Sequence, residues 1–256
     1  MRPVEFLLAL EFPAIDKLVE WPDAIEGSGF NKIAFINLFA VVATSVIFWA
    51  GARRKQLIPK GFQQLAEVSV DFLNKGVIEQ AIGHGGRAYL PYLMAIFFFV
   101  FFGNIFEVVP FVAFPANARM ANPAFLALLT LVFFIAVGVR HHGLKYFVGV
   151  LFPPGVPKAL YILVTPIELL STFIVRPFSL AVRLFANLLA GHILLVTFAV
   201  LTIALISGGI LAIIAPLPFL MLVALTAFEI MVSFLQAYVF AILAAVYIGG
   251  ALHPEH

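Results

Sequence analysis

Arg176, Arg183, Asn187 and His192 stand in the stretch RPFSLAVRLFANLLAGHILL, residues 176–195, which is otherwise apolar. A guanidinium at bilayer depth costs about 2.5 to 3.5 kcal/mol even on the lenient insertion scale, and arginine cannot escape that cost by losing its proton. No counter-charge follows in sequence, because Leu184 to Phe228 is a run of 45 residues without Asp, Glu, Lys or Arg. At about 100° per residue of helix, Arg176 and Arg183 fall within about 20° of each other and Asn187 about 40° further round, whereas His192 lies about 180° from Arg183. A fixed cation thus points one way and a titratable imidazole the other.

A second polar line follows on the next helix. Glu229, Ser233, Gln236 and Tyr247 fall within about 40° of one direction on an otherwise apolar cylinder. Glu229 and His192 can exchange protons where water reaches them, while Arg183 can act only as an electrostatic barrier or an ion-pair partner. Either Glu229 folds back to pair with Arg183 or a carboxylate on another protein supplies the charge. Plainer readings stand beside these. Arg176, next to Pro177, can snorkel to an interface, His192 can pack between helices, and Asn187, Ser233 and Gln236 can simply hydrogen-bond across helices. Gly191, Gly208 and Gly209 read as packing and turn residues.

The elements that position these groups are those of an all-α polytopic membrane protein: 63% of residues are hydrophobic, 11% are charged and the mean hydropathy is +1.10. The 256 residues read as one membrane domain. A net charge of +2 implies no nucleic-acid partner, and the absence of cysteine excludes disulfides, thiolate metal sites and cysteine nucleophiles. No signal-peptide pattern precedes the acidic start, which favours a bacterial plasma membrane over an organelle.

Residues 1–32, with six acids against three bases, read as an external tail. Residues 33–52 are uncharged and long enough to cross a bilayer, and Arg53, Arg54 and Lys55 follow at once. The excess of bases over residues 53–87 places that loop in the cytoplasm and the N-terminus outside. Residues 60–82 predict one amphipathic surface helix, with Phe62, Leu65, Ala66, Val70, Leu73 and Val77 on the apolar side and Gln63, Gln64, Glu67, Asp71, Asn74 and Lys75 on the polar side. His84, in a glycine turn, reads as a solvated loop residue. Residues 88–139 predict a helical hairpin. The one charge over 88–118 is Glu107, which is either a proton-path group or, beside Pro110 and Pro115, an outer-interface residue. Arg140, His141, His142 and Lys145 return the chain to the cytoplasm.

Residues 158–252 predict a hairpin of two long, strongly tilted helices. As a straight helix Lys158 to Ile206 would extend about 73 Å and Phe219 to Leu252 about 51 Å, against a hydrocarbon core of about 30 Å. Pro166 and Pro177 are expected to bend the first, and Ser207 to Gly209 with Pro216 to Pro218 to form the turn. Five membrane-embedded helices result, with a cytoplasmic C-terminus.

Arg176 to His192, with Phe234 to Phe240 (FLQAYVF), resembles subunit a of the rotary F-type ATP synthase. Pro59 to Glu67 and Asn104, Glu107 and Pro110 extend the resemblance over essentially the whole chain. It implies a proton-translocating stator subunit without catalysis or cofactor of its own, partnered by a ring of c-subunits, the subunit b stalk and, indirectly, the soluble nucleotide-binding head. It implies two aqueous half-channels, with Arg183 between them as barrier and as partner of each ring carboxylate. His192 and Glu229 resemble a paired position of the outer half-channel, acid and histidine exchanged relative to some members. Gln236 and Asn187 match polar positions near the arginine, and Asn104, Glu107 and Ser233 join the same path. Arg176, Tyr247 and Glu168 are secondary; Glu168 stands one residue further upstream than in some members. No dense cluster of oxygen ligands is present, which leans toward protons over sodium and toward no metal site.

Two other classes are open to these residues. A free-standing ion-coupled transporter or channel would line a substrate site with the same groups, although five crossings do not divide into matching halves. An intramembrane hydrolase would use Ser179 or Ser233 with His192, although no nucleophile-turn motif is present.

Overall fold

The computed structural model describes residues 31–53, 56–83, 85–109, 112, 114, 116–152, 157 and 160–252. The tail over 1–30, the bases Arg54 and Lys55, and His84, Pro110, Pro115, Lys158 and the last four residues lie outside the described residues. The described residues are nearly all helical and contain no strand. Five helical stretches are long and apolar enough to cross a membrane.

The first, α1 (Lys32–Arg53), stands at one side of the molecule. It is followed by α2 (Phe62–Leu73), a π-helical segment (Asn74–Ile78) and the single turn α3 (Glu79–Ala81). Two residues of this region depart from the expected pattern: Gln63 and Asn74, expected on the polar side, are buried. The Gln63 amide explains its own burial: its Oε1 accepts from the Gln56 backbone N–H at 3.1 Å, and its Nε2 donates to Gln56 O at 3.0 Å and Glu67 Oε1 at 2.8 Å. An amide with its partners supplied inside loses little on leaving water. Asn74 donates to Glu79 Oε1 at 2.7 Å across the π-helical turn, and its own Oδ1 is buried without a partner.

After a short 3₁₀ turn, α4 (Leu90–Ile105) and α5 (Ala121–His142) form a hairpin. The turn between them carries the 3₁₀ segment Ala116–Ala118. α5 stops at Gly143, whose φ of 62° lies in the left-handed region that a glycine adopts without a Cβ clash. Its N–H donates to Val139 O at 2.8 Å. The short α6 (Lys145–Leu151) then leads toward the long helices.

The first long stretch, Tyr161–Ser207, is 47 residues, or about 70 Å of helix. It comprises α7 (Tyr161–Leu170), a π-helical turn (Ser171–Val175) and α8 (Arg176–Ser207). Pro177 lies in the first turn of α8; it lacks an N–H, and its ring would crowd the carbonyl four residues back, so the wider π turn immediately before it accommodates both defects. A 3₁₀ segment (Gly209–Ile214) leads into α9 (Pro216–Leu252), 37 residues or about 55 Å. Pro216 to Pro218 therefore open α9 rather than belong to the turn, since proline in a first helical turn loses no bond.

The core sits where α9 packs against α4, α8 and α5. Ala237, Ala241, Ala244 and Ala245 give α9 a buried small-residue face with Phe240 and Ile248 among them, and Leu93, Phe97 and Val100 of α4 fill the other side. Small side chains let helix backbones approach closely where lipid offers no hydrophobic drive.

Candidate ion-translocation site

α8 divides its functional residues between two faces. Leu180, Ala181, Leu184, Leu188, Gly191 and His192 are buried, whereas Arg183 is exposed. Arg183 forms no ion pair and no side-chain hydrogen bond with any described residue. Glu229, one of the two counter-charges that sequence offers for Arg183, is elsewhere. Its carboxyl carbon is 2.6 Å from the point where a Cβ on Gly191 would stand, two helical turns beyond Arg183. Gly191 is thus the residue whose missing side chain lets α9 bring a carboxyl group against α8.

The structure places Glu107 beside His192 and Glu229 beside the neighbouring Gly191. His192 Nδ1 is 3.7 Å from Glu107 Oε1, and the Phe114 ring meets the imidazole edge-on with centroids 6.3 Å apart. Glu107 and Glu229 are 3% and 4% exposed and lie within electrostatic reach of each other. Both Glu107 oxygens and Glu229 Oε2 are buried without a hydrogen-bond partner. Buried acids in that state are costly unless a charge or proton partner is at hand, and the imidazole is the titratable group beside them. Glu107, open to two readings in sequence, is buried within the chain.

Glu107 is placed by the end of α4, where its N–H donates to Asn104 O at 3.0 Å. Asn104 is fully buried and its Oδ1 accepts from Asn117 Nδ2 at 2.7 Å. Asn122 in turn donates to Asn117 Oδ1 at 3.1 Å and exchanges two 3.0 Å bonds with Asn37 of α1. Sequence reasoning singled out Asn104 alone. The signal for the others was present, because Asn37 and Asn122 are lone amides in uncharged spans, but only the fold shows that they form one chain.

The polar line of α9 runs beside α8 in antiparallel register. Glu229 faces Gly191, and Gln236 Oε1 accepts from Asn187 Nδ2 at 2.8 Å. At the far end the Arg176 guanidinium lies 5.5 Å from the centre of the Tyr247 ring. Between these, Ser233 Oγ and Gln236 Nε2 are buried without partners. Tyr146 of α6 also lies near Arg176: burial pushes its hydroxyl pKa up, and the guanidinium acts in the opposite direction. Glu168, on α7, is half-buried, forms no ion pair with a described residue and does not join the cluster. Among the described residues no three His, Cys, Asp or Glu side chains converge as a metal site would need.

Residues 33–249 match the family described as ATP synthase A chain. The chain belongs to that family. It is 43% identical over 234 residues to ATP synthase subunit a of Frankia alni, covering 88% of this chain and 79% of that one. To ATP synthase subunit a of Rhodococcus erythropolis it is 40% identical over 260 residues, covering 98% and 94%. The corresponding protein of Hyphomonas neptunium is 38% identical over 243 residues, covering 93% and 94%. The chain is therefore a multi-pass membrane subunit of an ATP synthase. Family membership sets aside the free-standing transporter. It also sets aside the hydrolase, for which Ser233 Oγ is unbonded and Ser179 exposed.

Proposed function

We propose that this chain is the stator subunit that conducts protons through the membrane sector, with two aqueous half-channels meeting a ring of c-subunits at Arg183. The observation that carries this reading is the exposed Arg183, a permanent cation in the middle of an apolar helix face without an ion-pair partner among the described residues. A ring carboxylate arriving there from lipid supplies the missing charge. The guanidinium favours the ionised carboxylate and so promotes release of its proton, while lipid favours the neutral form on the rest of the ring's path. Each charge moved through 100 mV supplies about 2.3 kcal/mol, so several pass for each ATP made in the soluble head.

The buried groups provide the other half of the mechanism. A proton entering from outside is handed through the Glu107, His192 and Glu229 group to a ring carboxylate, and Ser233, Gln236 and Asn187 continue the polar line toward Arg183. The excess of bases around Arg53, Arg140 and Lys145 supports a cytoplasmic placement of those helix ends and an outside N-terminus in a bacterial plasma membrane. The chain folds as one membrane domain. Its surface segment over 60–82 lies along the cytoplasmic interface and subunit b packs against the stator. α8 and α9 are too long for an upright crossing and tilt around the ring.

ATP synthesis in inverted vesicles carrying Arg183→Ala tests this reading. The expected result is loss of synthesis with the complex still assembled; normal coupled synthesis would return Arg183 to a snorkelling role.

A further inference from the structure

A cavity of about 710 Å³ opens between the start of α4 and the end of α5, away from the Arg183 and His192 groups, with Leu252 of α9 in its wall. Its volume lies within the roughly 300 to 1,000 Å³ of small-ligand pockets. Tyr89, Arg140 and His141 form the polar part and Phe133 and Val137 the apolar part; among the described residues no acidic one lines it. Tyr89 Oη and His141 Nε2 are 3.0 Å apart and share a hydrogen bond whose donor is set by the imidazole tautomer. Phe133 is fixed by stacking on Tyr92 at 3.6 Å between centroids. His142 Nε2 holds Leu252 O at 3.0 Å, which pins the last turn of α9 against this site.

The outer surface of α5 tells what kind of molecule reaches the cavity. Phe125, Leu128 and Val132 are 62%, 56% and 63% exposed, and Ala136 and Arg140 continue the same stripe at helical spacing. An acyl chain lying along that stripe would bring the headgroup attached to it to Arg140, His141 and Tyr89. Arginine offers a planar fork of donors that suits phosphate oxygens, and a basic pocket between helix ends is the arrangement that retains anionic lipid. We infer that this cavity is a binding site for the phosphate headgroup of an anionic phospholipid. The shared chemistry is a phosphate ester, and the apolar track into the cavity assigns it to a lipid rather than to a soluble phosphate.

The test uses the assembled ATP synthase in nanodiscs with a phosphatidylglycerol probe carrying a photoreactive acyl chain, labelled peptides being mapped over α1 and α5. Labelling of the Phe125 to Val137 region is expected to exceed that by the matching phosphatidylcholine probe. Arg140→Gln is expected to lower it roughly fivefold while labelling of α1 stays constant. Excess soluble glycerol phosphate is expected not to compete. Equal labelling by the two probes, or no loss in the Arg140→Gln and His141→Gln variants, would overturn the site. Competition by glycerol phosphate as strong as by unlabelled lipid would overturn its assignment to a lipid.

Discussion

The two faces of α8 set their charges in opposite surroundings. On one, Arg183 is exposed among apolar side chains and forms no ion pair with a described residue. On the other, His192 is 6% exposed and 3.7 Å from a buried carboxyl group. A charge left unpaired at a protein surface inside a membrane calls for a partner from outside the chain, whereas acids and an imidazole buried together can pass a proton among themselves. One helix thus carries a group that cannot titrate on one face and a titratable imidazole on the other.

Substitutions on the two faces break this contrast in graded ways. The largest effect is expected from Arg183→Ala, which abolishes coupled synthesis in vesicle assays because the other cation on that face, Arg176, stands two turns away beside Tyr247. Glu107→Gln and His192→Ala are expected to lower synthesis about a hundredfold by removing a proton carrier, checked as the rate under a fixed imposed gradient. Gly191→Ala should be milder. Its new Cβ falls on the Glu229 carboxyl group, which must swing aside, so synthesis drops several-fold and thermal unfolding reports a loss of about 1 to 3 kcal/mol. Gln236→Leu removes the Asn187 bond and is expected to cost about 0.5 to 1.5 kcal/mol in the same unfolding measurement. Tyr247→Leu gives the smallest change, about 0.5 to 1 kcal/mol, by removing the aromatic face near Arg176.

The contrast between the faces was legible in sequence because it depends only on the angular step of a helix: nine residues separate Arg183 from His192, which is two and a half turns. The five apolar spans were legible for a similar reason, since length and charge alone define them. Sequence paired His192 with Glu229 by resemblance and did not foresee that Glu107 comes within 3.7 Å of it. Glu107 follows α4, far from α8 in the chain, and Glu229 sits on the next long helix, whose register against α8 is not given by periodicity within either one. The asparagine chain from Asn37 to Asn104 was hidden in the same way. Gln63 departs from the polarity pattern because a side chain that satisfies its own hydrogen bonds can be buried like an apolar one, which such a pattern does not register. Pro216 to Pro218 signalled a break, which proline marks equally well as the end of a turn and the start of a helix.

Passive proton conductance of vesicles stripped of the soluble head tests the division of roles most directly, with Arg183→Ala and His192→Ala compared under the same imposed gradient. A barrier on one face and a carrier on the other predict opposite signs: conductance rises in Arg183→Ala and falls in His192→Ala, with assembly of the membrane sector unchanged in both. A fall in both variants, or no change in either, would contradict it.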